Sequence, residues 1–219
     1  MSREKAFELL KQNIQNQNLI KHCLAVEAIM IALAQHFGEG EEDKSFSSPT
    51  ELLRSKSEGK KENEVLFAFA VAREDKERWG LTGLLHDIDY EKTKDDASQH
   101  SLVGAQLLES LGLDKDICQA VKVHNEAHGI EPETILEKAL FVTDPLTGLI
   151  VAAALVLPSK KLVDLTPENV LNRFKEKAFA RGANRDIIKK CEGYLNLNLE
   201  EFVKIGIGAM QGIAKELGL

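Results

Sequence analysis

The chain is poor in cysteine. Cys23, Cys118 and Cys191 are far apart and form no CxxC pair, which excludes a zinc ribbon or a thioredoxin-type site. So sparse and odd a set suits reduced thiols in a cytoplasm, the expected location. Positive charge is also short: the net charge of −7 argues against an electrostatic grip on a nucleic-acid polymer. The N-terminus, MSREKAFELLKQ, is charged and lacks the apolar core of a signal peptide. The longest apolar run, Gly148 to Pro158, is too short to span a bilayer and reads as a buried helix, so no membrane partner is expected. Convincing strand-type alternation is absent. Neither the sequence nor its composition sets an oligomeric state.

Helical spacing of apolar residues is plentiful. Leu19, Val26, Ile29, Met30 and Leu33 predict a helix over 18–37. Leu81, Leu84, Leu85 and Ile88 predict one over 76–88. Leu102 to Leu111 gives another, stopped by Gly112, and Asp114 is a candidate cap for 115–125. Residues 132–143 predict a helix ending near Asp144, since Pro145 disfavours the α conformation before it. Thr166-Pro167-Glu168 marks a helix start and Gly182 a stop, with further helices over 185–195 and 199–217. The fold class is all-α. One domain over 1–219 is expected, with a core of about 18–155, a charged loop insertion of about 39–64 and a C-terminal helical extension over 156–219. The apolar VLFAFAVARE that follows the insertion reads as a short helix or packed turn.

Six histidines are present, and their placement carries the chemistry. His86 and Asp87 fall opposite the apolar stripe of the 76–88 helix, about 100° apart, on a side shared with Gly80, Thr82 and Gly83. These small residues permit close helix approach. His22 shares a face with Val26, Ile29 and Leu33. His100 opens one helix, His124 closes the next, and Asp144 closes the one after. A divalent cation would satisfy the two carboxylates and accept neutral imidazoles together. Structural imidazole–carboxylate hydrogen bonds are the alternative explanation. His36 lies about four turns from His22, too far to share a site, and His128 fits a supporting or rim position.

The order His22, His86-Asp87, Asp144 resembles the signature of the HD superfamily of metal-dependent phosphohydrolases. LLHDIDYEKT is similar to its HDIG-type centre, with Asp89 in place of Gly. HSLVGAQLLESLGL and AVKVHNEAHG resemble the segments that bring further histidines in dinuclear members, and ALFVTDPLTGLI the helix end with the last aspartate. The resemblance covers about 18–155, and a KEKAFARGANRDII-like tail over 175–188 is similar to one in small predicted HD hydrolases.

The resemblance implies an HD-domain helical bundle with additional C-terminal helices. His22, His86, Asp87 and Asp144 would hold a first ion, and His100 and His124 a second, with Asp87 bridging. Asn125 in place of a further His, and no GYP after His128, argue against a cyclic-dinucleotide phosphodiesterase. The expected activity is hydrolysis of a small phosphorylated compound, a nucleotide, by water activated on one or two divalent transition-metal ions. Mixed N/O ligands suit Mn, Fe, Co, Ni or Zn. Catalytic candidates are Asp87, Asp89 and Lys92; for a proton donor, Asp89, Glu91 and Asp95 are nearby and spacing selects none. Candidate phosphate-binding cations are Lys92, Lys94, Lys161, Arg173, Lys177 and Arg181, the last three falling four apart as a basic helical face or a merely solvated one. A di-iron oxygenase and a catalytically silent nucleotide-binding regulator on the same scaffold are the competing classes.

Overall fold

The computed structural model describes residues 1–39 and 76–219. The expected insertion and the VLFAFAVARE segment lie outside the described residues, apart from Glu39, which ends a helix. Among the described residues there are helices and turns and no strand. The helices are α1 (Arg3–Asn13), α2 (Gln17–Glu39), α3 (76–85), α4 (Tyr90–Thr93), α5 (Leu102–Ser110) and α6 (Lys115–Val123). There follow α7 (Ile135–Leu155), α8 (Pro167–Lys175), α9 (Arg185–Lys189), α10 (Cys191–Tyr194), α11 (Leu199–Gly212) and α12 (Ala214–Leu217).

Two long helices organise the rest. On α2, Val26, Ile29, Met30 and Leu33 face a large core shared with α7 and the C-terminal helices, while Ile20 and Cys23 face a second core shared with α1, α3, α5 and α6. Helices α9, α10 and α11 pack directly on α7, and α11 also packs on α2. Fully burying each large apolar side chain contributes about 1.5–3 kcal/mol, so these two clusters fix how the helix ends meet.

Local signals account for most helix starts. Thr166 and Asn169 form a reciprocal capping box with Pro167 in the first turn of α8. Thr134 accepts from the Glu137 backbone N–H and donates to the Glu137 carboxylate, starting α7. Asp114 stands at the start of α6 but makes no capping hydrogen bond.

The largest correction is at Pro145. Helix α7 does not stop there; it runs through to Leu155, joining the two predicted segments. Proline deprives one carbonyl of its partner, but Leu140, Val142, Leu146, Leu149 and Ile150 are all fully buried around it, and their packing outweighs that loss. The joined helix, like Gln17–Gly38, is long and apolar enough to cross a membrane by length and composition alone. Here half or more of each apolar stretch is buried inside the chain.

Smaller corrections matter more for the site. Helix α3 ends at residue 85, so His86 and Asp87 lie in the turn that follows it. Helix α6 ends at Val123 with His124 as its C-cap. Helix α8 ends at Lys175, well before Gly182, and α9/α10 and α11/α12 are each interrupted. Helix α1 was not expected; it is capped by Ser2 and buries Ala6 and Leu10.

The small side of α3 is used as expected. A Cβ on Gly83 would stand 2.9 Å from the Glu27 and Val26 backbone, so only glycine permits this crossing with α2. The Gly83→Ala variant should lose about 1–3 kcal/mol of stability in denaturant unfolding, as overpacked sites do. Gly208→Ala, in open space on α11, should instead be neutral or slightly stabilising. Equal effects of the two would refute the close-contact argument.

Candidate metal centre

Residues from five helices and their adjoining turns converge on Asp87. His22 comes from the second turn of α2, His86 and Asp87 from the turn after α3, His100 from the turn before α5, His124 from the end of α6, and Asp144 from the middle of α7. Asp87 Oδ2 lies 3.5 Å from His22 Nε2 and 3.5 Å from His86 Nε2. Asp87 Oδ1 lies 3.3 Å from His100 Nε2 and 3.5 Å from His124 Nε2. Asp144 Oδ1 is 3.1 Å from His22 Nε2 and 3.8 Å from His86 Nε2. One carboxylate thus faces two pairs of imidazoles, one pair per oxygen.

Each imidazole is clamped through its other nitrogen. His86 Nδ1 donates to the Gly83 carbonyl at 2.8 Å, and His124 Nδ1 to the Val121 carbonyl at 2.6 Å. His100 Nδ1 donates to Asp89 Oδ1 at 3.0 Å. The Thr147 hydroxyl donates to the Asp144 carbonyl at 2.8 Å, so its oxygen accepts from His22 Nδ1 at 3.0 Å. With Nδ1 as the donor in all four rings, every Nε2 turns a lone pair inward. This is the outer-shell arrangement that orients histidine ligands on metals.

The cluster fits a cation on independent grounds. His124 Nε2 is buried without a hydrogen-bond partner. His22 Nε2 and His86 Nε2 are 3.1 Å apart, an apposition that requires a proton or a metal between them. Without an ion, protons take that place. Burial pushes the His86 imidazole down, but Asp87 and Asp144 outweigh it and raise it to about 9. Burial likewise opposes a charge on His100, but Asp87 and Asp89 raise it to about 10. Burial alone would raise both acids, yet the histidines hold Asp87 and Asp144 below the usual carboxylate range. Three overlapping triads could each hold an ion: His22–His86–Asp87, His86–His124–Asp144 and Asp87–His100–His124.

The remaining candidates divide clearly. Asp89 is buried behind His100, with Oδ2 accepting the Gly104 backbone N–H at 2.7 Å. It orients His100 rather than facing the cleft, which corrects its expected role as a catalytic acid. Gly104 leaves room for that carboxylate: a Cβ there would stand 3.1 Å from the Asp89 carboxyl carbon, tighter than ordinary contact. Lys92 is also corrected: its Nζ donates to Asn13 Oδ1 at 2.6 Å and anchors α1. Lys94 lines the cleft beside His22, Asp87, His100 and Asp144.

Lys161, Arg173, Lys177 and Arg181 line neither cavity that opens on the cluster. The end of α8 at Lys175 prevents Arg173, Lys177 and Arg181 from forming one helical face, and Arg173 pairs with Glu176. The tail still reaches the cluster, through Gly182, Ala183, Asn184 and Ile187. Arg185 shapes that approach by donating to the Ala180 and Ala183 carbonyls at 2.6 and 2.7 Å.

Support for His100 was missed in part. Ser101 adopts a left-handed backbone, φ 72°, unusual for a residue with a side chain. His128 Nε2 lies 2.7 Å from the His100 carbonyl and 3.0 Å from Ser101 Oγ, holding that turn. His128 therefore has the supporting position that its spacing suggested. His36 meets the Phe37 ring edge to face and belongs to none of the triads of the cluster.

The fold and the cluster define an all-helical protein with a histidine–aspartate centre able to accept divalent metal. A model of the HD domain matches residues 19–149, more than half of the chain, and the chain belongs to the HD domain family, a family of metal-dependent hydrolases. Among similar proteins, an uncharacterized protein of Methanocaldococcus jannaschii is 28% identical over 195 residues, covering 87% of this chain and 92% of its own length. Ribonuclease Y of Oleidesulfovibrio alaskensis is 33% identical over 118 residues, covering 52% of this chain but 22% of that protein. No solved structure matches the chain.

Proposed function

We propose that this protein hydrolyses a small phosphorylated compound, a nucleotide, using one or two divalent transition-metal ions held by six side chains. His22, His86, Asp87 and Asp144 would hold the first ion, and His100 and His124 the second, with Asp87 shared. The observation that carries this reading is the set of four Nδ1 clamps, which turn all four Nε2 lone pairs onto the two oxygens of one carboxylate. Ions bound there supply an acidified water and a counter-charge for phosphoryl oxygens.

The chain's own residues set up that chemistry. Asp89, Thr147 and the Gly83 and Val121 carbonyls fix the imidazoles before any substrate arrives, so little reorganisation is left for the reaction. His22 and Asp144 are the more exposed ligands, with 24% and 33% of their side chains accessible, so substrate approaches from their side. Lys94 stands on that side and can pair with a phosphate oxygen. The net charge of −7 favours a small substrate over a nucleic-acid polymer, and the sparse cysteines favour a cytoplasmic setting. Likeness to Ribonuclease Y supports the second reading, cleavage of an RNA phosphodiester.

The test is metal content by plasma mass spectrometry after purification without chelator, followed by phosphate release from a nucleotide panel and cleavage of an RNA. About two transition-metal ions per chain and turnover of a small nucleotide are expected. Cleavage of RNA alone would select the second reading. Oxygen consumption with redox-active iron would select an oxygenase. Failure to bind any metal would leave a silent binding protein.

A further inference from the structure

Two cavities meet at His22, His100 and Asp144. The larger, about 740 Å³, runs out past Asn16, Asn18, Tyr90, Glu91 and Lys94. The smaller, about 310 Å³, runs out past Asn125, Glu126, Phe141, Asn184 and Ile187. Asn16, Asn18, Asn184 and Ile187 lie outside residues 19–149, the part matched by the family. Residues outside the part matched by the family therefore help to line both ways out of the cluster.

Each way out carries a carboxylate that hydrogen bonds hold in place. Glu91 Oε1 accepts the Asn16 backbone N–H at 2.6 Å, and both its oxygens lie 3.0 Å from the Gln15 backbone nitrogen. These backbone bonds hold its carboxyl below the usual range, so it is ionised at neutral pH. Glu126 receives Asn184 Nδ2 at 3.0 and 3.3 Å on its two oxygens. Lys94, whose charge also acts on Glu91, is the one lysine or arginine among the described residues lining either cavity, and it lines the larger. Lys21 lines a separate cavity on the other flank of His22, against Leu155 and Leu217–Leu219.

We propose that the cleft selects a phosphomonoester, one terminal phosphate on a neutral hydrogen-bonding body, and rejects di- and triphosphates, because a fixed carboxylate at each way out faces any phosphate beyond the first. The proposal rests on the reading of the cluster as a phosphate-processing centre. One phosphate can be matched by the ions and Lys94. A longer phosphate chain leaving the cluster must run along Glu91 or Glu126. Like charges a few ångströms apart in a partly enclosed cleft weaken binding by about tenfold or more. A neutral body meets no such penalty, and the amides of Asn16 and Asn18 on one side and the apolar Ile187 on the other suit a heterocycle or sugar.

The test is calorimetric binding of orthophosphate, pyrophosphate and tripolyphosphate to the full, metal-loaded chain at buffered free Mn²⁺. Release of phosphate from p-nitrophenyl phosphate and from nucleoside mono- and triphosphates is measured on the same preparation. Orthophosphate is expected to bind at least about tenfold more tightly than tripolyphosphate. That gap should shrink about threefold or more in the Glu91→Gln/Glu126→Gln double variant. In the unmodified chain it should also shrink as salt screens the carboxylates, a measurement that needs no variant to fold. Tripolyphosphate binding as tightly as orthophosphate, a gap indifferent to salt, or no binding of any of the three would overturn the proposal. Preferred orthophosphate binding with no release from any ester would leave this selectivity standing and refute the hydrolase. Efficient release with a preference for the triphosphate would do the reverse.

Discussion

Asp87→Ala is expected to abolish metal retention and to lower the proposed hydrolytic turnover by about 10³-fold or more, while the far-ultraviolet circular dichroism keeps its helical signal. The size of the effect follows from position. Asp87 is the residue that meets all four imidazoles, His22 and His86 through one oxygen and His100 and His124 through the other. Charge stabilisation by a bound ion is worth several kcal/mol in the transition state, and each 1.36 kcal/mol is tenfold in rate. The fold should survive because Asp87 lies in a turn after α3, and the apolar residues beside it, Leu84, Leu85 and Ile88, keep their burial. The measurement is metal content and turnover on the same gel-filtered sample. Full turnover with metal intact would refute the assignment. Asp87→Asn is the sharper variant: it keeps the volume and one acceptor oxygen but removes the charge, so turnover near that of the parent would show that the carboxylate only hydrogen-bonds the histidines.

Part of this centre is legible in the sequence because apolar spacing shows which way a helix, and the turn at its end, faces. His22 was placed by the face it shares with Val26 and Ile29, and His124 by the stripe through Ile117, Ala120 and Val121, all of which are buried. What the spacing hides is tertiary. Asp89 reads as an acid next to the centre, and only the fold shows its oxygens taken up by His100 and the Gly104 backbone. Pro145 reads as a stop because the rule is local, whereas the packing that carries α7 past it comes from helices distant in sequence. The basic residues after Lys175 read as a helical face because charge spacing says nothing about where a helix ends. Their neighbours Gly182 to Asn184, without charge and without periodicity, are the ones that reach the cluster.

The His100→Ala/His124→Ala double variant separates the two halves of the centre. It is expected to hold about one ion per chain instead of about two, and to lose turnover by about 10²-fold, the scale seen when one preorganised stabiliser of transition-state charge is removed. Both rings face Asp87 Oδ1; His124 also comes within 4.8 Å of Asp144, less closely than His22 and His86 at 3.1 and 3.8 Å. Removing them leaves His22, His86, Asp87 and Asp144 intact as a possible single-ion site. The supporting groups differ too: His100 depends on Asp89 and on the turn held by His128, while His22 depends on Thr147. Asp89→Asn should therefore weaken occupancy of the second position alone, by about 10–100-fold in affinity, and Thr147→Val should act on the first. If the double variant kept about two ions, the pair of imidazoles on Oδ1 would be structural and the centre mononuclear. If it lost both ions together, the halves would be one cooperative site, with Asp87 held in place by the second pair as much as by the first.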